Sequence, residues 1–315
     1  MNTTRTTRAF AALTLSVLAL TACGGNSDPL SSGGGDSNSD SNTIVVGSAN
    51  FTESETIANI YAEVLKANGF DVSTTLNIGS REAYIPAVKD GSIDVIPDYT
   101  GNLLQYLDPE ATATSSADVE AALPDALGSE LVVADPAPAE DKDSIVVTRA
   151  TADRWNLKTI ADLAPHSAEI SIGAPAEFQE RTYGLPGLKN NYGVDIDPSK
   201  FVPIADGGGP ATVKALAEGQ ITAADIFSTS ASIAENDFVV LEDPKFNFAA
   251  QNVIPVINAG KTSEKLTDVL NAISAKLTTE ELLALNQAVS GDTKTEPAAA
   301  AQQWVKEQGL DTPIG

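Results

Sequence analysis

The chain's 315 residues suffice for two domains of ordinary size, and a hydrophobic content of 42% can fill a core in each. A formal net charge of −24, from 43 Asp+Glu against 19 Lys+Arg, repels nucleic acid and anionic lipid headgroups, which argues against either as a partner. One Cys and one His in the whole chain leave no intrachain disulfide and no His/Cys cluster for metal or triad chemistry, so no cofactor, metal site or catalytic residue is expected.

At the N-terminus, Arg5 and Arg8 precede an apolar run from Ala9 to Leu20, followed by Leu20-Thr21-Ala22-Cys23. That run is too short to span a bilayer stably, and its charged, apolar, small-residue order is that of an export signal over residues 1–22. With Cys23 at its end the segment resembles a bacterial lipoprotein signal, which implies a lipidated, palmitate-bearing Cys23 as the mature N-terminus. Several acyl chains would make a durable anchor on the extracytoplasmic face of the cell membrane, where one chain alone is marginal. Residues 23–42 are rich in Gly, Ser, Asn and Asp and read as a flexible tether, reaching about 25 Å on average as a coil.

From Thr43 the pattern changes to Ile44-Val45-Val46-Gly47, a strand buried on both faces. Thr52 with Glu55 reads as a capping box for a helix bearing Ile57, Ile60, Tyr61, Val64 and Leu65 on one face, closed by Gly69. Val72–Ile78 follows as a strand, then a helix capped by Ser80 and carrying Arg81, Tyr84 and Val88, in which Pro86 is expected to shorten or kink the turn. The stretch from Asp94 to Asn102 reads as a third strand ending near Ile96, with Thr100 opening a helix. Strand-helix-strand-helix-strand begins a doubly wound α/β domain. Ligands bind at the carboxyl ends of such strands, so Tyr99 either stands at a cleft or packs under the next helix.

After an Ala-rich helix around Asp118–Leu127 and a strand at Leu131–Val133, Ser144–Thr148 reads as a first passage between domains. A second α/β unit then runs through strands at Glu169–Gly173, Phe201–Ile204 and Ala223–Phe227. Phe238–Leu241 and Pro244–Phe248 lead back, Val253–Ile257 re-enters the first domain, and three helices finish the chain. The expected organisation is one lobe from residues 43–145 and 245–315, with a second lobe, 146–244, inserted in it. The triple glycine Gly207–Gly209 lacks the following Lys-Ser/Thr of a phosphate-binding loop and reads as a tight turn.

Three motifs carry a family resemblance: Gly47-Ser48-Ala49-Asn50-Phe51-Thr52-Glu53, Asp98-Tyr99-Thr100-Gly101, and Gly173-Ala174 through Glu177-Phe178 and Arg181 to Gly184-Leu185-Pro186-Gly187-Leu188. In order and spacing they resemble the osmoprotectant-binding branch of bacterial ABC-importer substrate-binding proteins. The resemblance implies a two-lobed α/β fold of the type II periplasmic-binding-protein kind. It further implies capture of glycine betaine, choline, carnitine or a similar quaternary amine between closing lobes, and delivery by a monomeric, non-enzymatic protein to ABC permease subunits. A trimethylammonium group has no N–H to donate and is held on aromatic faces, for about 2 kcal/mol or more per desolvated contact; a ligand carboxylate would need Arg, Lys or backbone N–H groups.

Carried over by motif, Asn50, Phe51, Tyr99, Thr100 and Asn102 would line the site from the first lobe. Phe227 and Thr229 would face them from the second, Phe248 near the return crossing would add a wall, with Phe246 as a neighbouring candidate, and Arg181 would meet a ligand carboxylate. Arg181 is equally placed to pair with Glu177 one helical turn earlier. The chain also departs from the pattern: Ala49 stands where several relatives carry lysine, Asn102 where threonine is frequent, Tyr183 where Asp is common, and Asp141–Ser144 lacks an aromatic. An amino acid or another small polar solute is the alternative ligand, with Glu53, Glu82 and Asp98 available to an ammonium.

Overall fold

The structure, a computed structural model, describes residues 42–290 and 294–314. The expected export signal, Cys23 and the tether through Ser41 lie outside the described residues. Two five-stranded sheets organise the remainder. The first contains β1 (Thr43–Gly47), β2 (Asp71–Thr75), β3 (Val95–Tyr99), β4 (Leu131–Val133) and β10 (Val253–Asn258), in the order β2-β1-β3-β10-β4. The second contains β5 (Ile145–Thr148), β6 (Ile172–Ala174), β7 (Phe201–Pro203), β8 (Ala223–Asp225) and β9 (Phe238–Val240), in the order β7-β6-β8-β5-β9.

The two orders follow one rule. In each sheet the first three positions are parallel, and the fourth is a strand that has just arrived from the other lobe: β10 runs antiparallel to β3 and β4, and β5 antiparallel to β8 and β9. The crossings are therefore the segments before Ile145 and before Val253, and the second lobe is inserted in the first. An arriving antiparallel strand begins where the parallel strands end. Both crossings thus deliver their residues to the carboxyl edges, the place where α/β sheets bind ligands.

Alternation along the buried strands explains the layering. Ile44, Val46 and Val95 pack on one face of the first sheet against α1 (Thr52–Ala67), whereas Ile96, Ile254 and Val256 pack on the other against α2 (Arg81–Lys89), α3 (Thr100–Leu107) and α4 (Ser116–Ala126). In the second sheet Ile145, Val147 and Ile172 share a core with α5 (Arg149–Trp155) and α6 (Leu185–Tyr192), opposite Val146, Ala224 and Ile226 under α7 (Pro210–Ala217) and near α8 (Ser232–Glu235). Helices α9 (Glu264–Ser274), α10 (Thr279–Ser290) and α11 (Pro297–Glu307) return to cover α1.

Several local expectations shift. Thr52 is the first helical residue rather than the cap, because Phe51 takes the extended N-cap conformation. Strand β3 continues past Ile96 through Pro97 to Tyr99, so the tyrosine belongs to the sheet. Pro86 is accommodated inside α2, and the segment after β6 forms a short 3-10 turn, Ala176–Gln179, before α6.

Candidate functional site

A cavity of about 130 Å³ lies between the carboxyl edges of the two sheets, similar in size to the ~150 Å³ cavity that can hold benzene. The loop after β1 supplies Ala49, Asn50 and Phe51; β3 ends in Tyr99; the start of α2 supplies Ser80, Arg81 and Tyr84; and Asn102 comes from α3. Across from them stand Glu177, Phe178, Arg181 and Tyr183 after β6, Gly207 after β7, and Asp225 and Phe227 at the end of β8. The first crossing contributes Asp141 and Asp143.

Aromatic rings from both lobes converge. Phe51 meets Phe227 edge-on at 5.2 Å between centroids and lies tilted against Tyr99 at 6.1 Å. Gly207 makes this approach possible: its φ is +58°, and a Cβ there would sit 3.0 Å from that of Phe51 and 3.4 Å from the Phe227 ring. Tyr99 is fixed from beneath. Its hydroxyl donates to Glu53 Oε1 at 2.5 Å, and Glu53 Oε2 accepts from Thr229 Oγ1 at 2.7 Å and Asn286 Nδ2 at 2.5 Å. Burial, with Glu53 alongside, pushes the Tyr99 phenol well above its ordinary range, so it stays a neutral donor. A second aromatic group, Tyr183 between Phe178 and Phe248, backs the opposite wall.

The charged groups separate by position. Arg81 is buried and donates from Nε at 3.0 Å and from a terminal nitrogen at 2.5 Å to Asp98 Oδ1, while Tyr84 Oη donates to Asp98 Oδ2 at 3.0 Å. Arg181 donates to Tyr183 Oη at 2.7 Å and to both oxygens of Glu82 at 3.1 and 3.2 Å, with Glu177 at 3.7 Å. Asp141, Asp143 and Asp225 are buried. Asp143 accepts from Asn102 Nδ2 at 2.7 Å, and Asp141 from the Thr229 backbone N–H at 2.9 Å and Ser228 Oγ at 3.2 Å. Asp225 and Asp143 come together because β5 and β8 pair antiparallel with Ile145 opposite Asp225. Burial, then the neighbouring Asp143, pushes the Asp225 carboxyl well above its ordinary value; burial and Glu53 do the same to Asp141.

Among the residues expected from the sequence, Asn50, Phe51, Tyr99, Asn102, Arg181 and Phe227 line this cavity. Thr100 does not: it is buried, its hydroxyl donating to the Ala250 carbonyl at 3.2 Å and accepting from Asn252 N–H at 3.1 Å. Thr229 supports Glu53 and Asp141 behind the wall, and Phe248 is a core residue behind Tyr183. Phe246 is 60% exposed. Arg181 makes the anticipated Glu177 contact and adds a stronger one to Glu82 across the lobes. Glu53, Glu82 and Asp98, considered as ammonium partners, do not line the cavity and are tied instead to donors from its wall, Tyr99, Arg181 and Arg81. The residues that sequence reasoning passed over are Arg81, Tyr84 and the Asp141–Asp143–Asp225 group. Only the position of Asp225 after the apolar Ala223-Ala224 hinted at a strand end facing a cleft.

Among the described residues no helix is long and apolar enough to cross a membrane, and no group of side chains is arranged to hold a metal ion. Residues 42–307 match the family described as the substrate binding domain of ABC-type glycine betaine transport system. The chain is 29% identical over 211 residues to the glycine betaine-binding protein YehZ of Escherichia coli K12, spanning 64% of this chain and 69% of that protein. It is 26% identical over 227 residues to a glycine-betaine-binding protein of Pseudomonas aeruginosa, spanning 68% and 71%. A crystal structure of a glycine betaine/carnitine/choline ABC transporter superposes with a TM-score of 0.66 at 23% identity, covering 85% of this chain and 99% of that one, which establishes the two-lobed type II periplasmic-binding-protein-like fold.

Proposed function

The chain belongs to the family of substrate binding domains of ABC-type glycine betaine transport systems, and on that premise we propose that it captures a quaternary-amine osmoprotectant between its lobes and delivers it to a membrane permease. The observation that carries this reading is the ring cluster of Phe51, Tyr99 and Phe227, contributed by both lobes to one small cavity. Aromatic faces attract a methylated ammonium that no hydrogen-bonding group could hold, and the attraction strengthens as closure removes water. The work is binding rather than catalysis, done by the protein as a monomer. Titrating purified protein with glycine betaine, choline and carnitine by calorimetry tests the reading; no heat and no thermal stabilisation with any of them would sink it.

The same proposal places the protein outside the cytoplasm, held to the cell membrane by a lipidated Cys23 and a short tether. Support comes from the Arg-apolar-Ala22-Cys23 order of the leader. A Cys23→Ser variant should be released from the membrane fraction, and retention there would count against the anchor.

A further inference from the structure

We infer that the cavity selects an organic cation bearing its own hydrogen-bond donor, a hydroxylated quaternary amine of the choline kind, over a zwitterion such as glycine betaine. This rests on the quaternary-amine reading above and narrows it.

Charge separates the two ligand classes first. A zwitterion brings a carboxylate that needs uncommitted positive charge or free donors. Both arginines on the cavity wall are already matched: Arg81 to Asp98, and Arg181 to Glu82 and Glu177. Three hydroxyls nearby are engaged as donors as well, Ser80 to Glu82, Tyr84 to Asp98 and Tyr99 to Glu53, while that of Tyr183 accepts from Arg181. Ala49 puts no charge into the wall. On the other side Asp141, Asp143 and Asp225 form no ion pair with Lys or Arg among the described residues; the lysine next in sequence, Lys142, pairs with Glu140. The wall therefore offers acidic groups that no Lys or Arg pairs with, and no arginine without a carboxylate partner.

An orphan acceptor on the cavity wall points the same way. Asp225 is 2% exposed, and its Oδ1 is buried without a hydrogen-bond donor among the described residues, at the lining of the cavity and beside Asp143. An unsatisfied buried carboxylate oxygen is costly, and a donor from the ligand removes that cost. Glycine betaine carries only C–H hydrogens and cannot supply one. Its carboxylate would instead add negative charge beside Asp225, whose carboxyl burial and Asp143 already push toward the neutral form, and so make its ionisation costlier still. A hydroxyl two carbons from a trimethylammonium supplies the donor while the methyls remain against Phe51, Tyr99 and Phe227.

The experiment is calorimetry of the wild-type protein with three probes: choline, choline methyl ether, which keeps the cation and loses the donor, and glycine betaine. Choline should bind at least tenfold more tightly than glycine betaine and several-fold more tightly than its ether. In an Asp225→Asn variant choline should lose at least tenfold while glycine betaine does not weaken. Glycine betaine at or above the affinity of choline in the wild-type protein overturns the inference and leaves the quaternary-amine reading standing. No binding by any probe overturns both. Should Asp225→Asn fail to fold, the wild-type ranking decides alone.

Discussion

The two charged walls of the cavity are built from the same residue types and behave oppositely. On the α2 side every cation has a carboxylate: Arg81 with Asp98 beneath the sheet edge, and Arg181 with Glu82 across the lobes. On the β5–β8 side three buried aspartates line the cavity, Asp143 and Asp141 with amide, hydroxyl and backbone donors, and none of the three is ion-paired with Lys or Arg among the described residues. Matched charges are neutralised inside the protein and hold its shape; unmatched ones are left for whatever enters. An arginine at a cleft thus says little about a ligand until its partners are known, and the carboxylates that matter here are those for which the fold supplied no ion-pair partner.

The matched wall breaks most expensively. Replacing Arg81 with Met leaves Asp98 buried and without its cation, and stripping one partner from a buried pair costs about 3–5 kcal/mol. Urea denaturation should register a loss of that order for Arg81→Met. It should be largely relieved in the Arg81→Met/Asp98→Asn double variant, which retains no uncompensated charge. Equal losses in single and double variants would mean that Arg81 acts by packing alone.

Removing a ring comes next. Phe51 touches both Tyr99 and Phe227, so Phe51→Ala opens the cluster at its centre, and a lost desolvated cation–π contact of ~2 kcal/mol corresponds to more than tenfold in affinity. Tyr99→Ala should also cost at least tenfold with folding intact, whereas Tyr99→Phe keeps the ring and removes only the donor to Glu53. Unchanged affinity with lowered stability in Tyr99→Ala would return that residue to a packing role.

The unmatched wall should reveal itself through pH. Asp225 and Asp141 have folded-state pKa values raised by burial and by Asp143 and Glu53 respectively. Below the ordinary aspartate value of 3.8 folded and unfolded chains are protonated alike at these groups. Above it the unfolded chain gives up its protons first, so the apo protein loses stability as pH rises through the folded values. A bound cation favours the ionised form, so its affinity should run the other way and rise with pH, by at most about tenfold per unit for one released proton. Thermal melts and calorimetry over a pH series rising from the ordinary aspartate value should give these opposite slopes, and Asp225→Asn should make both shallower, leaving the share of Asp141. Parallel slopes would mean that the aspartates do not face the ligand.

How much of this was legible in the sequence follows the same division. The apolar runs at Ile44–Val46, Val95–Ile96 and Val253–Ile257 announced buried strands, since continuous apolar character is what a sheet covered on both faces requires. Phe51 and Tyr99 sat in local motifs that end strands, and Phe227 two residues past β8. The aspartate group had no such signal, because Asp143 and Asp225 meet only through the antiparallel register of β5 on β8, across 82 residues of chain between Ser144 and Ile226. The partners of Arg181 split similarly: Glu177 is one turn away and visible, Glu82 lies 99 positions distant and belongs to the other lobe.

That last contact offers the finest adjustment of the comparison. The Arg181–Glu82 pair joins the lobes beside the cavity, and with the Glu82 side chain 49% exposed its contribution to stability should be only a few tenths of a kcal/mol. Glu82→Gln should therefore leave the melting curve almost unmoved. It would nevertheless release part of the Arg181 charge, leaving Glu177 at 3.7 Å as the remaining carboxylate partner. If matching is what denies a zwitterion its foothold, glycine betaine should gain about twofold to threefold relative to choline, as expected for an exposed pair worth less than 1 kcal/mol. A Glu177→Gln variant should shift the ratio the same way but less, because its ion pair is the longer one. A uniform loss for both ligands would instead identify the Glu82 contact as a latch that favours lobe closure whatever is bound.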